Sequence, residues 1–344
     1  MARPGTKPAR LVLLLLAVLL AVTGYFGVGA GRQFLADRAF TPVRVPAATA
    51  AAPGIASLLS SAAAPPAAAT ARPDPPAPTP AGVAAALAKE LADPELGPSV
   101  AGQVFDAGTG TLLFDQRSSE VVAPASTAKL LTAAALLTVR QATDRFSTRV
   151  VAGERPGTVV LVGGGDPTLS AAPAGKPTRY AEAARIADLA ARVRAGLGGA
   201  RVQQVLVDDS AFTGPATAPG WDPADTPSDY ASLITATMVD AGRDAPGEEI
   251  RSAAPDLAAG TALAAALGGA QVGRGSAPAG AKLLGQVRSA PVDVLIEQMM
   301  RASDNVIAEV LARQVAIATH RPASFSGAAA AVSAALASAG IRIG

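Results

Sequence analysis

The chain has 344 residues, enough for two domains or for one with a large insertion. Half of them are hydrophobic but only 3% are aromatic, so its cores must be built from Ala, Val and Leu; a formal net charge of +2, with basic residues scattered, gives nucleic acid no footing. With no cysteine there is no disulfide, no thiolate nucleophile and no thiolate metal site, and the lone histidine, His320, follows a helical pattern and precedes Arg321-Pro322, the place of a helix C-terminus. Hydrolytic chemistry in such a chain points to a lysine base rather than to a histidine triad. No metal or other cofactor is implied.

Arg3, Lys7 and Arg10 precede an uncharged run from Leu11 to Ala30, which predicts a signal peptide or membrane anchor over 1–30. Either form exports the rest of the chain, which is then secreted, or held at the membrane through its N-terminal segment where that segment is retained. Residues 31–82 are dominated by Ala, Pro, Ser and Thr, and Arg72-Pro-Asp-Pro-Pro-Ala-Pro-Thr-Pro80 favours an extended conformation; this region is expected to be a disordered linker. Folded sequence is expected from Val83, with a helix over Val83–Leu91. Strands over Val100–Asp106 and Thr111–Asp115, joined by Ala107-Gly-Thr-Gly110, predict a hairpin.

Next comes Ala123-Pro-Ala-Ser-Thr-Ala-Lys-Leu-Leu131, which opens a run of strong helix formers. On a helix, positions i and i+3 share a face, so the Ser126 hydroxyl and the Lys129 amine can meet. A desolvated lysine with a lowered pKa can take the proton that keeps a serine from being nucleophilic. The plain alternative is a helix start, Ser126 capping and Lys129 solvated.

Beyond Arg140, strands are expected at Phe146–Ala152 and Thr158–Val162, a helix at Tyr180–Ala195 and a strand at Val202–Val207. A Pro/Gly-rich loop from Gly214 to Pro227 carries the single tryptophan, Trp221, read as a packing anchor for this region; a helix at Pro255–Leu267 and short strands to Val287 come after it. Gly163-Gly-Gly165 lacks the Gly-Lys-Ser/Thr of a phosphate loop and reads as a turn before Asp166-Pro167. Asp208-Asp209 closes a strand and reads as a turn or cap. Helices are expected at Pro291–Met300, Val306–Ala318 and Ser324–Ala339, with Ser303-Asp304-Asn305 in the break between the first two. There a hydroxyl could relay protons and an amide could hold a substrate backbone; an ordinary helix cap is the alternative. Ile341-Arg-Ile-Gly344 reads as the opening of a further strand, and suggests a chain truncated there.

Ser126-x-x-Lys129 and Ser303-Asp-Asn305 are two of the three elements of penicillin-binding proteins and class A β-lactamases. With Leu161-Val-Gly-Gly-Gly-Asp-Pro-Thr-Leu169, Asp208-Asp-Ser-Ala-Phe-Thr-Gly-Pro215, Ala218-Pro-Gly-Trp221 and Met300-Arg-Ala-Ser-Asp-Asn-Val-Ile-Ala-Glu309, the chain resembles the D-alanyl-D-alanine carboxypeptidase/endopeptidase family, the class C low-molecular-mass penicillin-binding proteins. The resemblance runs from about Val83 to Gly344. It implies an α+β fold of the serine β-lactamase/penicillin-binding-protein type. The catalytic domain would be divided over 83–144 and 285–344, with an insertion domain at 145–284 between the first two motifs and its C-terminal part missing.

The same resemblance implies a serine peptidase of the extracytoplasmic cell envelope that cleaves D-Ala-D-Ala in peptidoglycan stem peptides, with β-lactam antibiotics as covalent inhibitors. By carry-over Ser126 is the acylated nucleophile, Lys129 its proton acceptor, Ser303 a proton shuttle toward the leaving group and Asn305 a substrate-binding residue. One oxyanion donor would be the Ser126 backbone N–H. The family's third motif, Lys-Thr-Gly or a close variant, does not occur in the sequence. That departure motivates an alternative, a non-catalytic peptidoglycan-binding scaffold or an inactive fragment. A β-lactamase is a third option, which the Gly-Gly-Gly-Asp-Pro passage argues against.

Overall fold

The computed structural model describes residues 77–343. The expected signal or anchor at 1–30 and most of the expected linker lie outside them. Among the described residues no helix is long and apolar enough to cross a membrane.

Chain contacts divide the described residues into two units, one ending at Ala125 and one covering Ser126–Ile343. The first unit opens with helix α1, Pro80–Leu91. It starts three residues before the expected Val83, because Thr79 caps it (its hydroxyl accepts from Gly82 N at 3.1 Å) and Pro80 occupies the first turn, where its missing N–H costs nothing. Strands β1, Gly102–Phe105, and β2, Leu112–Gln116, form the expected antiparallel hairpin. Both are shorter at the loop than the pattern suggested, since the Asp106 carboxylate accepts from Gly108 N and Thr109 N and makes that residue part of the turn.

The second unit has two cores. Helices α2 (Lys129–Val139), α5 (Val292–Arg301), α6 (Asn305–Ala318) and α7 (Phe325–Ser338) bury Leu136, Leu295, Met299, Ile307, Leu311 and Leu336 in the first of them. The second core lies under a five-stranded sheet of order β6-β5-β4-β3-β7. Its strands are β3 (Ser147–Ala152), β4 (Thr158–Val162), β5 (Gln204–Asp208), β6 (Gln271–Arg274) and β7 (Leu283–Arg288). β4, β5 and β6 run parallel, joined by crossovers through α3 (Ile186–Leu197) and α4 (Pro255–Ala266), and β3 is antiparallel to both β4 and β7. Val159, Val160 and Leu161 are buried in succession, as expected of a strand covered on both faces.

The pairing of β7 with β3 carries the sheet on to Arg288. Three expectations need correction. The helix expected from Tyr180 begins only at Ile186, because Arg185 pairs with Ser170 in a bridge and Glu182 holds φ +52°. Residues 341–343 form no strand. Instead Ile341 N donates to Leu336 O at 2.9 Å while Gly340 takes φ +80°, an α7 C-terminal closure that folds Ile341 onto the helical core. Trp221 anchors its loop on the helical core rather than on the sheet, its ring edge-on to Phe325 of α7 at 5.3 Å.

Candidate active site

Ser126 lies in a single 3-10 turn, Ala125–Ala128, that runs into α2. In a 3-10 turn, side chains at i and i+3 eclipse one another, which stacks Lys129 over Ser126 more directly than an α-helix would. Lys129 Nζ donates to Ser126 Oγ at 3.1 Å, with Ser126 exposed and Lys129 buried.

The opposite wall comes from the turn between α5 and α6. Ser303 holds φ +50°, a left-handed conformation that costs a non-glycine residue about 1–2 kcal/mol. It closes α5 through Asp304 N to Met299 O at 3.0 Å and turns the chain into α6. The outcome is a compact polar cluster: Ser303 Oγ donates to Ser126 Oγ at 2.8 Å, and Lys129 Nζ reaches Ser303 Oγ at 3.4 Å and Asn305 Oδ1 at 2.6 Å. Asn305 Nδ2 donates to the Tyr230 carbonyl at 3.2 Å. All four residues singled out from the sequence, Ser126, Lys129, Ser303 and Asn305, therefore share one hydrogen-bonded group. Burial pushes the Lys129 ammonium below the usual lysine range, against the opposing pull of the Asp304 and Glu309 charges. A buried amine so placed can exchange a proton with either hydroxyl.

Asp304, which the sequence offered only as a helix cap, does cap α6 and has further partners besides. Its Oδ1 caps α6 by accepting from Val306 N at 2.9 Å and Ile307 N at 3.1 Å. Its Oδ2 accepts from Tyr180 OH at 2.9 Å and from Arg251 Nη2 at 3.0 Å, both far away in sequence. A cleft of about 690 Å³ opens on this side, lined by Arg179, Tyr180, Tyr230, Arg243, Ser303 and Asn305 among others.

The glycine passage has a packing reason. A Cβ on Gly164 would stand 2.1 Å from the Ser147 carbonyl oxygen, and one on Gly165, at φ +77°, would stand 2.2 Å from Gln314 Nε2. Gln314 of α6 donates to the Gly164 carbonyl at 2.8 Å, tying the sheet region to the helix that begins at the Ser303 turn. The Asp208 carboxylate accepts from Ser210 N and Ala277 N, and Asp209 accepts from Thr237 N at 2.7 Å, so both serve the backbone. Among the described residues no group of three or more His, Cys, Asp or Glu could hold a metal ion. His320 takes φ +54° at the C-terminal end of α6, where Arg321 N reaches back to Ala316 O at 2.8 Å.

Among known proteins, the model of the D-Ala-D-Ala carboxypeptidase 3 (S13) family matches residues 83–246 and 244–344. Carboxypeptidase Rv3627c of Mycobacterium tuberculosis is 52% identical over 261 residues, covering 74% of this chain and 56% of that protein. Carboxypeptidase DacB of Mycolicibacterium smegmatis is 44% identical over 332 residues, covering 95% of this chain and 68% of that protein. Among solved structures, penicillin binding protein 4 (dacB) from Haemophilus influenzae is similar in fold, with a TM-score of 0.57 at 20% identity over 70% of this chain and 68% of that one. The chain thus has a penicillin-binding-protein type of fold, and it spans little more than half the length of the Mycobacterium tuberculosis relative.

Proposed function

The chain belongs to the D-Ala-D-Ala carboxypeptidase 3 (S13) family, and from that premise we propose that it is a serine peptidase cleaving D-Ala-D-Ala in peptidoglycan stem peptides through an acyl-enzyme on Ser126. The observation that carries the reading is the direct hydrogen bonding among Ser126 Oγ, Lys129 Nζ and Ser303 Oγ, at 3.1, 3.4 and 2.8 Å.

In this mechanism the neutral Lys129 amine takes the Ser126 hydroxyl proton as Oγ attacks the carbonyl of the penultimate D-Ala. The Ser126 backbone N–H faces the developing oxyanion, a contribution of about 2.7–4 kcal/mol where such a donor has been removed from other enzymes. The proton then passes from Lys129 through Ser303, with which it is in contact, to the nitrogen of the departing D-Ala; the C–N bond breaks and the acyl group stays on Ser126. Water, deprotonated by the same amine, releases the shortened peptide and restores the serine. Asn305 holds Lys129 through Oδ1 and, with Ser303, borders the cleft where the peptide backbone would lie. A β-lactam ring would be opened by Ser126 in the same way. The substrate lies outside the cytoplasmic membrane, and the apolar run Leu11–Ala30 supports export of the chain and a membrane contact there.

Release of D-alanine from a stem pentapeptide ending in D-Ala-D-Ala tests the proposal. Release by the protein and none by Ser126→Ala is expected; equal rates, or peptide bound without hydrolysis, would refute it.

A further inference from the structure

An asparagine amide has two ends of nearly the same shape, and only one orientation of Asn305 serves Lys129. With Oδ1 toward Nζ the contact is a hydrogen bond of 2.6 Å; with Nδ2 there, an N–H would face the ammonium, or in the neutral amine would occupy the lone pair that takes the Ser126 proton. What selects the orientation is the acceptor at the other end, the Tyr230 carbonyl at 3.2 Å. That carbonyl lies outside every helix and strand, in a turn closed by Ser228 N donating to Ala231 O at 2.9 Å and tied by Arg251 N donating to Ser228 O at 3.1 Å.

The Arg251 guanidinium makes three hydrogen bonds to three separate pieces of chain. Nε donates to Ala241 O at 2.8 Å, Nη1 donates to the Asp229 carbonyl, and Nη2 donates to Asp304 Oδ2 at 3.0 Å. Two of these acceptors belong to the immediate chain neighbours of the groups that meet at the amide: Asp229 precedes Tyr230, and Asp304 precedes Asn305. The Arg251 side chain is only 2% exposed, its ion pair with Asp304 closed to solvent. Tyr180 OH donates to the same Asp304 Oδ2, and it also accepts from Arg243 Nη1, at 3.3 Å, rather than donating to the Asp229 or Ala241 carbonyl.

We infer that Arg251 is a positioning residue: by gripping the Asp229 carbonyl and the Asp304 carboxylate with one rigid fork it sets the distance between Tyr230 and Asn305, and so holds the Asn305 amide with its oxygen on Lys129. A guanidinium suits this task because its planar donors are fixed relative to one another, whereas an ammonium is a single point that cannot span acceptors on separate segments. The inference deepens the proposed serine-peptidase mechanism and rests on it for its kinetic consequence, but not for its geometric one.

The test uses the full chain with Arg251→Lys, which keeps the buried charge opposite Asp304, and Arg251→Gln, which does not; thermal unfolding first establishes which variants are folded. Two quantities are read. One is the pair of Asn305 side-chain amide ¹H–¹⁵N resonances, assigned by their loss in Asn305→Asp. The other is the limiting rate of acylation by a fluorescent penicillin, separated from its half-saturating concentration. In folded Arg251→Lys the Asn305 resonances are expected to move, and the limiting rate to fall on the order of 10²-fold, the scale of a misplacement near 1 Å, while half-saturation holds. Tyr180→Phe is expected to leave the Asn305 resonances in place. Wild-type Asn305 resonances in folded Arg251→Lys, or a wild-type limiting rate, would overturn the inference. If the unsubstituted protein and Ser126→Ala both fail to acylate, the peptidase reading falls. The resonances alone then decide the point, moved in its favour or unmoved against it.

Discussion

Replacing Asp304 separates two jobs that one carboxylate performs, and the structure assigns a magnitude to each. In Asp304→Asn the cap on α6 survives, because an amide oxygen caps a helix about as well as a carboxylate. The ion pair is lost, and Arg251 stays buried without its counter-charge. Breaking a buried pair costs about 3–5 kcal/mol. The lower end applies here, since Arg251 keeps the Ala241 and Asp229 carbonyls and its charge is not stripped of acceptors. In Asp304→Ala the two N–H groups of Val306 and Ile307 also lose their acceptor, a further loss of about 0.5–2 kcal/mol. The expected order is wild type, then Asn lower by about 3 kcal/mol, then Ala lower again by about 1 kcal/mol. Urea unfolding followed by circular dichroism reads it, provided the three proteins share one slope. An Asn variant within about 1 kcal/mol of wild type, or Ala and Asn variants that unfold together, would refute the reasoning.

Three further outcomes are expected. Gly164→Ala should destabilise the fold by about 1–3 kcal/mol in urea unfolding, because its methyl group would press on the Ser147 carbonyl and no side-chain rotation can relieve a backbone contact. The acylation rate should rise with pH as the Lys129 ammonium loses its proton and then flatten. Glu309→Gln removes a charge that favours the ammonium, so the rising limb should shift to lower pH in stopped-flow acylation; an unmoved limb contradicts the assignment of the amine as proton acceptor. Burial raises Asp209 to about 7 and Asp166 to about 6, above the unfolded carboxylate range. Between about pH 4 and 7 the folded state therefore binds more protons than the unfolded one, and these two groups withdraw stability as pH rises through that window. Asp209→Asn should flatten the fall in urea midpoint between pH 4.5 and 7.5 (roughly the edges of that window), and an unchanged slope would count against it.

Local signals were legible in the sequence, and contacts between distant segments were not. The hairpin at Ala107–Gly110 and the helices α4, α5, α6 and α7 follow from turn residues and apolar periodicity, which act over a few neighbours. Ser126 and Lys129 were within reach of such reasoning because their spacing is itself short-range. Tyr180 and Arg251 were not: each reaches Asp304 across many residues, and nothing in the surrounding sequence marks either one. The same contacts explain the misplaced start of α3. Tyr180–Arg185 has helix-forming composition, but the chain there is committed to the Tyr180 bond to Asp304 and the Arg185 bridge to Ser170. Ile341 misled for the opposite reason. A β-branched pair after a glycine resembles a strand, yet the glycine is closing the helix before it.

The measurement that bears most directly on the account is mass spectrometry of the protein after incubation with a penicillin, with the adduct mapped by digestion. The account predicts one covalent penicilloyl group per chain, on the peptide containing Ser126, and none in Ser126→Ala. A folded protein that takes up no adduct, or one whose adduct maps to another residue and persists in Ser126→Ala, would contradict it.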